Sequence, residues 1–183
     1  MFSQSMKNKH ISTIVGIIVV VLVIYLIITK GEEASLPDNS DEGITDMMDL
    51  MNEQEFNTFQ KAIENLKDIV IEKEEAVPPS SKVLLSAEFQ PRAQDVKGKA
   101  LLLEQNNKKI IRFEDFYTPN GPNLQVYLSS ELGIMDAVNL GRLKATKGNF
   151  NYELDDSVDT EKYNKVLVWV GTFRVLFSYA ELG

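Results

Sequence analysis

Residues 165 to 182 constrain the fold more than any other stretch. They read Lys-Val-Leu-Val-Trp-Val-Gly-Thr-Phe-Arg-Val-Leu-Phe-Ser-Tyr-Ala-Glu-Leu. In an extended chain, Val166, Val168 and Val170 face one way, and Leu167 and Trp169 the other. Both faces are apolar, which predicts a central strand covered on both sides. Gly171-Thr172 interrupts the run. Phe173, Val175, Phe177 and Tyr179 then share one face, and Arg174 and Ser178 punctuate the other. That alternation predicts a half-buried partner strand. The β-branched and aromatic content, broken by glycine, disfavours a helix here.

Upstream, short strand-like runs alternate with turn signals. Val83, Leu85, Ala87 and Phe89 alternate up to Pro91, followed by runs over Val96–Glu104 and Lys108–Phe116. Thr118-Pro-Asn-Gly-Pro122 has turn chemistry, since proline presets φ while Asn and Gly tolerate positive φ. Leu124, Val126 and Leu128 alternate next. Runs over Leu140–Ala145 and Asn149–Leu154 flank Thr146-Lys147-Gly148, which predicts a tight hairpin turn. Ser129 to Asn139 is the longest connection. Residues 81–183 are therefore expected to form a mainly β domain, an antiparallel β-sandwich or barrel of about eight strands.

Three ordered blocks of this region resemble the DM13 domain, a small extracellular β-domain of surface proteins. Arg112-Phe-Glu-Asp-Phe-Tyr-Thr-Pro-Asn-Gly-Pro-Asn-Leu-Gln-Val-Tyr-Leu-Ser129 is similar to its F-x-x-F-x-T-x-N-G-P-D-L-x-V-Y-L block. The stretches Leu140–Leu154 and Tyr163–Leu182 resemble its second and third blocks. The resemblance covers about residues 82–183. It implies a surface location and a redox or electron-transfer role, through a cysteine after the tryptophan that acts as a thiol or holds a group such as haem. The matching position here is Val170, beside Trp169. Valine keeps the size of a buried cysteine but cannot form a thiolate or a thiolate–iron bond. Axial ligation by the remainder would fall to Met135, another Met or a Tyr. No cofactor is expected.

The first 80 residues lie outside the resemblance. Ile11 to Thr29 are 19 uncharged, mostly apolar residues. As a helix they span about 28 Å, close to a hydrocarbon core. The run is long for a signal peptide and ends without an Ala-x-Ala site, which predicts an uncleaved single-pass signal-anchor. Lys7 and Lys9 precede it, so residues 1–10 are expected in the cytoplasm and the C-terminal domain outside the cell membrane. Residues 30–43 read as a flexible acidic linker. Residues 44–76 read as a helical stalk with a break near Asn52, where Glu55 completes a capping box, or as two helices. Its stripe is Phe56, Phe59, Ile63, Leu66 and Val70. The stripe suits packing on the β-domain, self-association as a stalk, or contact with a partner or the membrane. Val77-Pro78-Pro79 ends it.

Chemistry is bounded by what is missing. There is no cysteine, and the one histidine, His10, lies in the N-terminal flank. Disulfides, zinc–thiolate sites and iron–sulfur clusters are excluded, as are Ser/His/Asp and Cys/His constellations. No enzyme activity is expected. Past residue 30 there are 16 basic and 27 acidic residues, a net of −11, which disfavours nucleic-acid binding. The expected partners are the bilayer, through residues 11–29, and an unidentified envelope or extracellular protein. Asp155, Asp156 and Asp159, with Glu153 and Glu161, are weak Ca²⁺ candidates without EF-hand order and otherwise a solvated loop. Trp169 with Tyr127, Tyr152, Tyr163 and Tyr179 suits an aromatic pocket or plain core packing. The reading is a membrane-anchored, non-catalytic binding or structural module. The alternatives are a redox module of the DM13 type and Ca²⁺-dependent adhesion.

Overall fold

The computed structural model describes residues 47–183. The expected anchor at 11–29, the linker at 30–43 and the cytoplasmic flank lie outside those residues. Among the described residues no helix is long and apolar enough to cross a membrane.

Among the described residues ten strands form two five-stranded sheets. The strands are β1 (Glu72–Glu74), β2 (Lys82–Glu88), β3 (Gln90–Pro91), β4 (Lys97–Gln105) and β5 (Lys108–Tyr117), then β6 (Leu124–Ser129), β7 (Ala137–Arg142), β8 (Lys147–Glu153), β9 (Lys165–Val170) and β10 (Val175–Glu181). One sheet runs β1-β8-β5-β4-β2 and the other β3-β10-β9-β6-β7. Every pairing is antiparallel except β1 with β8. The architecture is a sandwich, with the core between the sheets. Leu102, Ile111, Phe113, Phe116 and Phe150 come from the first sheet, and Val126, Val166, Val168, Val170 and Phe177 from the second. Phe113 sits at the centre of an aromatic cluster. Its ring centroid lies 4.9 Å from Phe89 and Phe116, and 5.0 Å from Phe150.

Strand β9 is central and covered on both faces, as its sequence requires. Strand β10 departs from its expected alternation. A bulge between Leu176 and Ser178 shifts the register, so Val175 and Phe177 join the core while Tyr179 turns to the other face, beside Trp169. The turn between β4 and β5 is Asn106-Asn107, with φ of 51° and 65°. Both central residues with positive φ match the right-handed twist of the hairpin.

Two expectations need correction. Thr146-Lys147-Gly148 is not a hairpin turn, because β7 and β8 belong to different sheets. Lys147 and Gly148 begin β8. Gly148 does have a positive φ, of +113°, but uses it for close approach: an added Cβ would stand 2.2 Å from the Lys73 carbonyl oxygen of β1.

The stalk is also shorter than its pattern. Met47–Asp49 form one 3₁₀ turn, and α1 spans only Glu53–Glu64. The break at Asn52 is present as a full capping box: Asn52 Oδ1 accepts from Glu55 N–H at 3.0 Å, and Glu55 Oε2 from Asn52 N–H at 3.1 Å. Of the stripe, only Phe59 and Ile63 are buried, and Phe59 meets the Phe173 ring edge-on at 5.3 Å. Helix α1 thus packs on the sandwich. Past Asn65 the β-branched run Ile69-Val70-Ile71 disfavours further helix and leads into β1. Ile71 exchanges hydrogen bonds with Thr146: its N–H donates to Thr146 Oγ1 at 2.9 Å, and its carbonyl accepts from Thr146 N–H at 2.8 Å.

Candidate functional site

Strand β9 sends Val170 and Trp169 to opposite faces. Val170 is fully buried in the inter-sheet core, opposite Val175 of β10 and Leu124 of β6. Trp169 is fully buried on the outer face, clustered with Leu167 and Leu176 and packed by Tyr127, Ile134 and Tyr179. Its Nε1 has no hydrogen-bond partner among the described residues, nor has Ser178 Oγ. The two residues therefore do not share a pocket. The tyrosines also disperse. Tyr152 is in the core beside Phe113, Tyr127 and Tyr179 flank Trp169, and Tyr163 donates to Asp136 Oδ1 at 2.8 Å.

A concavity opens beside the turn at 120–123. It holds about 250 Å³, open to solvent, with Ile71, Leu124 and Leu143 as apolar wall and Asn120, Asn123, Arg142 and Thr146 as polar lining. Leu124 is the ladder partner of Val170, so the pocket lies one side chain from that position. The turn at 120–123 is wedged in place. An added Cβ on Gly121 would meet Ile63 at 3.2 Å, Leu124 at 3.3 Å and Phe177 at 3.4 Å. Asn120 Oδ1 accepts from Gly121 N–H at 2.9 Å, and Asn123 adopts φ 54° while its carbonyl accepts from Gly171 N–H at 3.1 Å.

The backbone on either side of Leu143 is pinned by Tyr152. Its hydroxyl donates to the Arg142 carbonyl at 3.1 Å and accepts from Lys144 N–H at 2.9 Å, fixing the chain as it leaves β7. Burial pushes the phenol well above its ordinary value, so it stays protonated and able to donate.

The acidic run is arranged for turns. Asp155 Oδ1 accepts from Ser157 N–H at 2.9 Å and Ser157 Oγ–H at 2.6 Å, and these bonds hold its carboxyl below the usual range. Asp159 Oδ1 accepts from the N–H groups of Glu161 and Lys162. Asp156 is exposed. Among the described residues no three His, Asp or Glu side chains converge.

A family model described as Electron transfer DM13 matches residues 88–182, more than half of the chain. The chain belongs to the DM13 family. No curated protein and no solved structure matches it. The match takes in β3 to β10 of the DM13 domain, while α1, β1 and all of β2 but Glu88 precede it. Those preceding elements still complete the domain: Phe59 and Ile63 enter its core, and Ile71 walls the pocket.

The Asn120-Gly121-Pro122 turn is legible in the sequence from its turn chemistry. Ile71, Arg142, Leu143 and Thr146 are not. They converge through the β1–β8 pairing and the crossing from β7 to β8, neither of which leaves a local pattern.

Proposed function

We propose that this chain is a DM13 module anchored in the cell membrane through residues 11–29, with its β-domain outside the cytoplasm. In this reading it acts by binding in the cell envelope, without catalysis and without a bound cofactor. The observation that carries the reading is Val170. The residue at the position of the family's cysteine is an aliphatic side chain, fully buried between the sheets. No thiolate, thiolate–iron bond or disulfide can form there. Its ladder partner Leu124 lines an open, polar-rimmed pocket whose geometry suits recognition. The apolar run at 11–29, flanked by Lys7 and Lys9, supports the anchor and its orientation. The net −11 beyond residue 30 argues against a nucleic-acid partner and leaves an envelope or extracellular protein as the expected macromolecular one.

Two measurements test this. External protease on intact cells is expected to remove the β-domain, and full protection would sink the topology. The full chain purified after expression with excess haem is expected to show no Soret band; such a band would restore the redox reading.

A further inference from the structure

The polar groups around this pocket are unevenly satisfied. Thr146 Oγ1 is occupied by the backbone of Ile71. Asn120 Oδ1 is occupied by Gly121 N–H, and Asn123 Oδ1 accepts from Gln125 Nε2 at 2.8 Å. What remains is the amide N–H₂ of Asn120 and of Asn123 and the guanidinium of Arg142. The Arg142 side chain is exposed, and its guanidinium has no hydrogen-bond or ion-pair partner among the described residues. Its near neighbours are committed elsewhere: Lys144 pairs with Glu75 and Lys147 with Glu72. Among the described residues no carboxylate lines the pocket, although the protein carries a formal net charge of −8. The side-chain groups left without any partner there are donors and one is a cation, while Ile71, Leu124 and Leu143 supply an apolar wall.

We infer that this pocket binds a small carboxylate with an apolar body. The carboxylate pairs with the Arg142 guanidinium, whose fork matches two carboxylate oxygens, and the Asn120 amide donates to a remaining lone pair. The apolar body lies on Leu124 and Leu143. At about 250 Å³ the pocket has room for a ring-sized acid. This deepens the reading of the domain as a binding module and rests on it. Arg142 is the specificity residue, Asn120 orients the acid, and Tyr152 acts only by positioning the Arg142 backbone.

The test is titration of the full chain, in detergent micelles, with benzoate and with its neutral isostere benzamide, followed by amide shifts of Gly121, Leu124 and Leu143. Benzoate is expected to shift these resonances saturably, and benzamide at least tenfold more weakly. Arg142→Gln is expected to weaken benzoate at least tenfold without moving the melting temperature, since the side chain is exposed. Lys108→Gln, at the far end of β5, is expected to bind as the parent does. Equal binding of benzamide and benzoate, no effect of Arg142→Gln, or no shift with benzoate each overturns the assignment. None of these outcomes touches the protease and haem measurements, so the broader reading stands or falls separately.

Discussion

At the residue scale, Val170 and Tyr152 make opposite contributions. Val170 fills core space that a cysteine also fits, so Val170→Cys is expected to fold with a stability change under about 1.5 kcal/mol. Because the position is fully buried, the new thiol should resist a thiol reagent under native conditions and react fully in denaturant. Rapid native reaction would show that the core opens there. Tyr152 contributes through its hydroxyl. Tyr152→Phe leaves the Arg142 carbonyl and Lys144 N–H without their partner, and is expected to cost about 1–3 kcal/mol in a denaturant titration. It should also weaken benzoate binding, with the Arg142→Gln melting temperature as the contrast.

At the scale of elements, β1 is held to β8 by close backbone approach. Gly148→Ala places a Cβ against the Lys73 carbonyl in a backbone conformation unsuited to side chains. The expected outcome is release of β1, read as faster amide exchange at Lys73 and Glu74 while β9 and β10 stay protected. Unchanged exchange at β1 would refute the role given to Gly148. The connection from β6 to β7 is fastened differently. Ser129 Oγ donates to Gly133 O at 2.7 Å, and Asp136 takes bonds from Lys162 at 2.8 Å and from Tyr163.

The Lys162 bond first, and then that of Tyr163, holds the Asp136 carboxyl below its ordinary value of 3.8. A depressed folded value means the contribution is complete above the ordinary value and is lost as pH falls through the folded one. Ile134 of this connection packs beside Trp169, the sole tryptophan. Acidification below about pH 4 should therefore red-shift Trp169 emission, and Asp136→Asn should show part of that shift at neutral pH. An emission maximum constant down to the point of global unfolding would count against the fastening.

At the scale of the whole molecule, the two sheets share one aromatic centre. Phe113 touches Phe89, Phe116, Phe150 and Tyr152, and the core around it reaches Phe59 of α1 and Phe177 of β10. Phe113→Ala is expected to cost about 3–5 kcal/mol and to lower one cooperative transition, with circular dichroism and Trp169 emission moving together. Two separated transitions would mean that the sheets stabilise independently. Within a net negative surface, the pocket depends on one cation, the Arg142 guanidinium.

The sequence by itself determined the β-class, the central place of β9, the capping box at Asn52, and the absence of thiol chemistry at Val170. Each is written in a local pattern: alternation, cap spacing, or the identity of one residue. Tertiary structure decided the rest. The bulge that turns Tyr179 outward, the parallel docking of β1 on Gly148, and the assignment of β7 and β8 to separate sheets depend on which strands meet. The pocket is of the same kind. Ile71, Asn120 and Arg142 are far apart in the chain, and only strand pairing brings them to one rim. Period and composition report what each segment will bury, but not which distant segment will bury it.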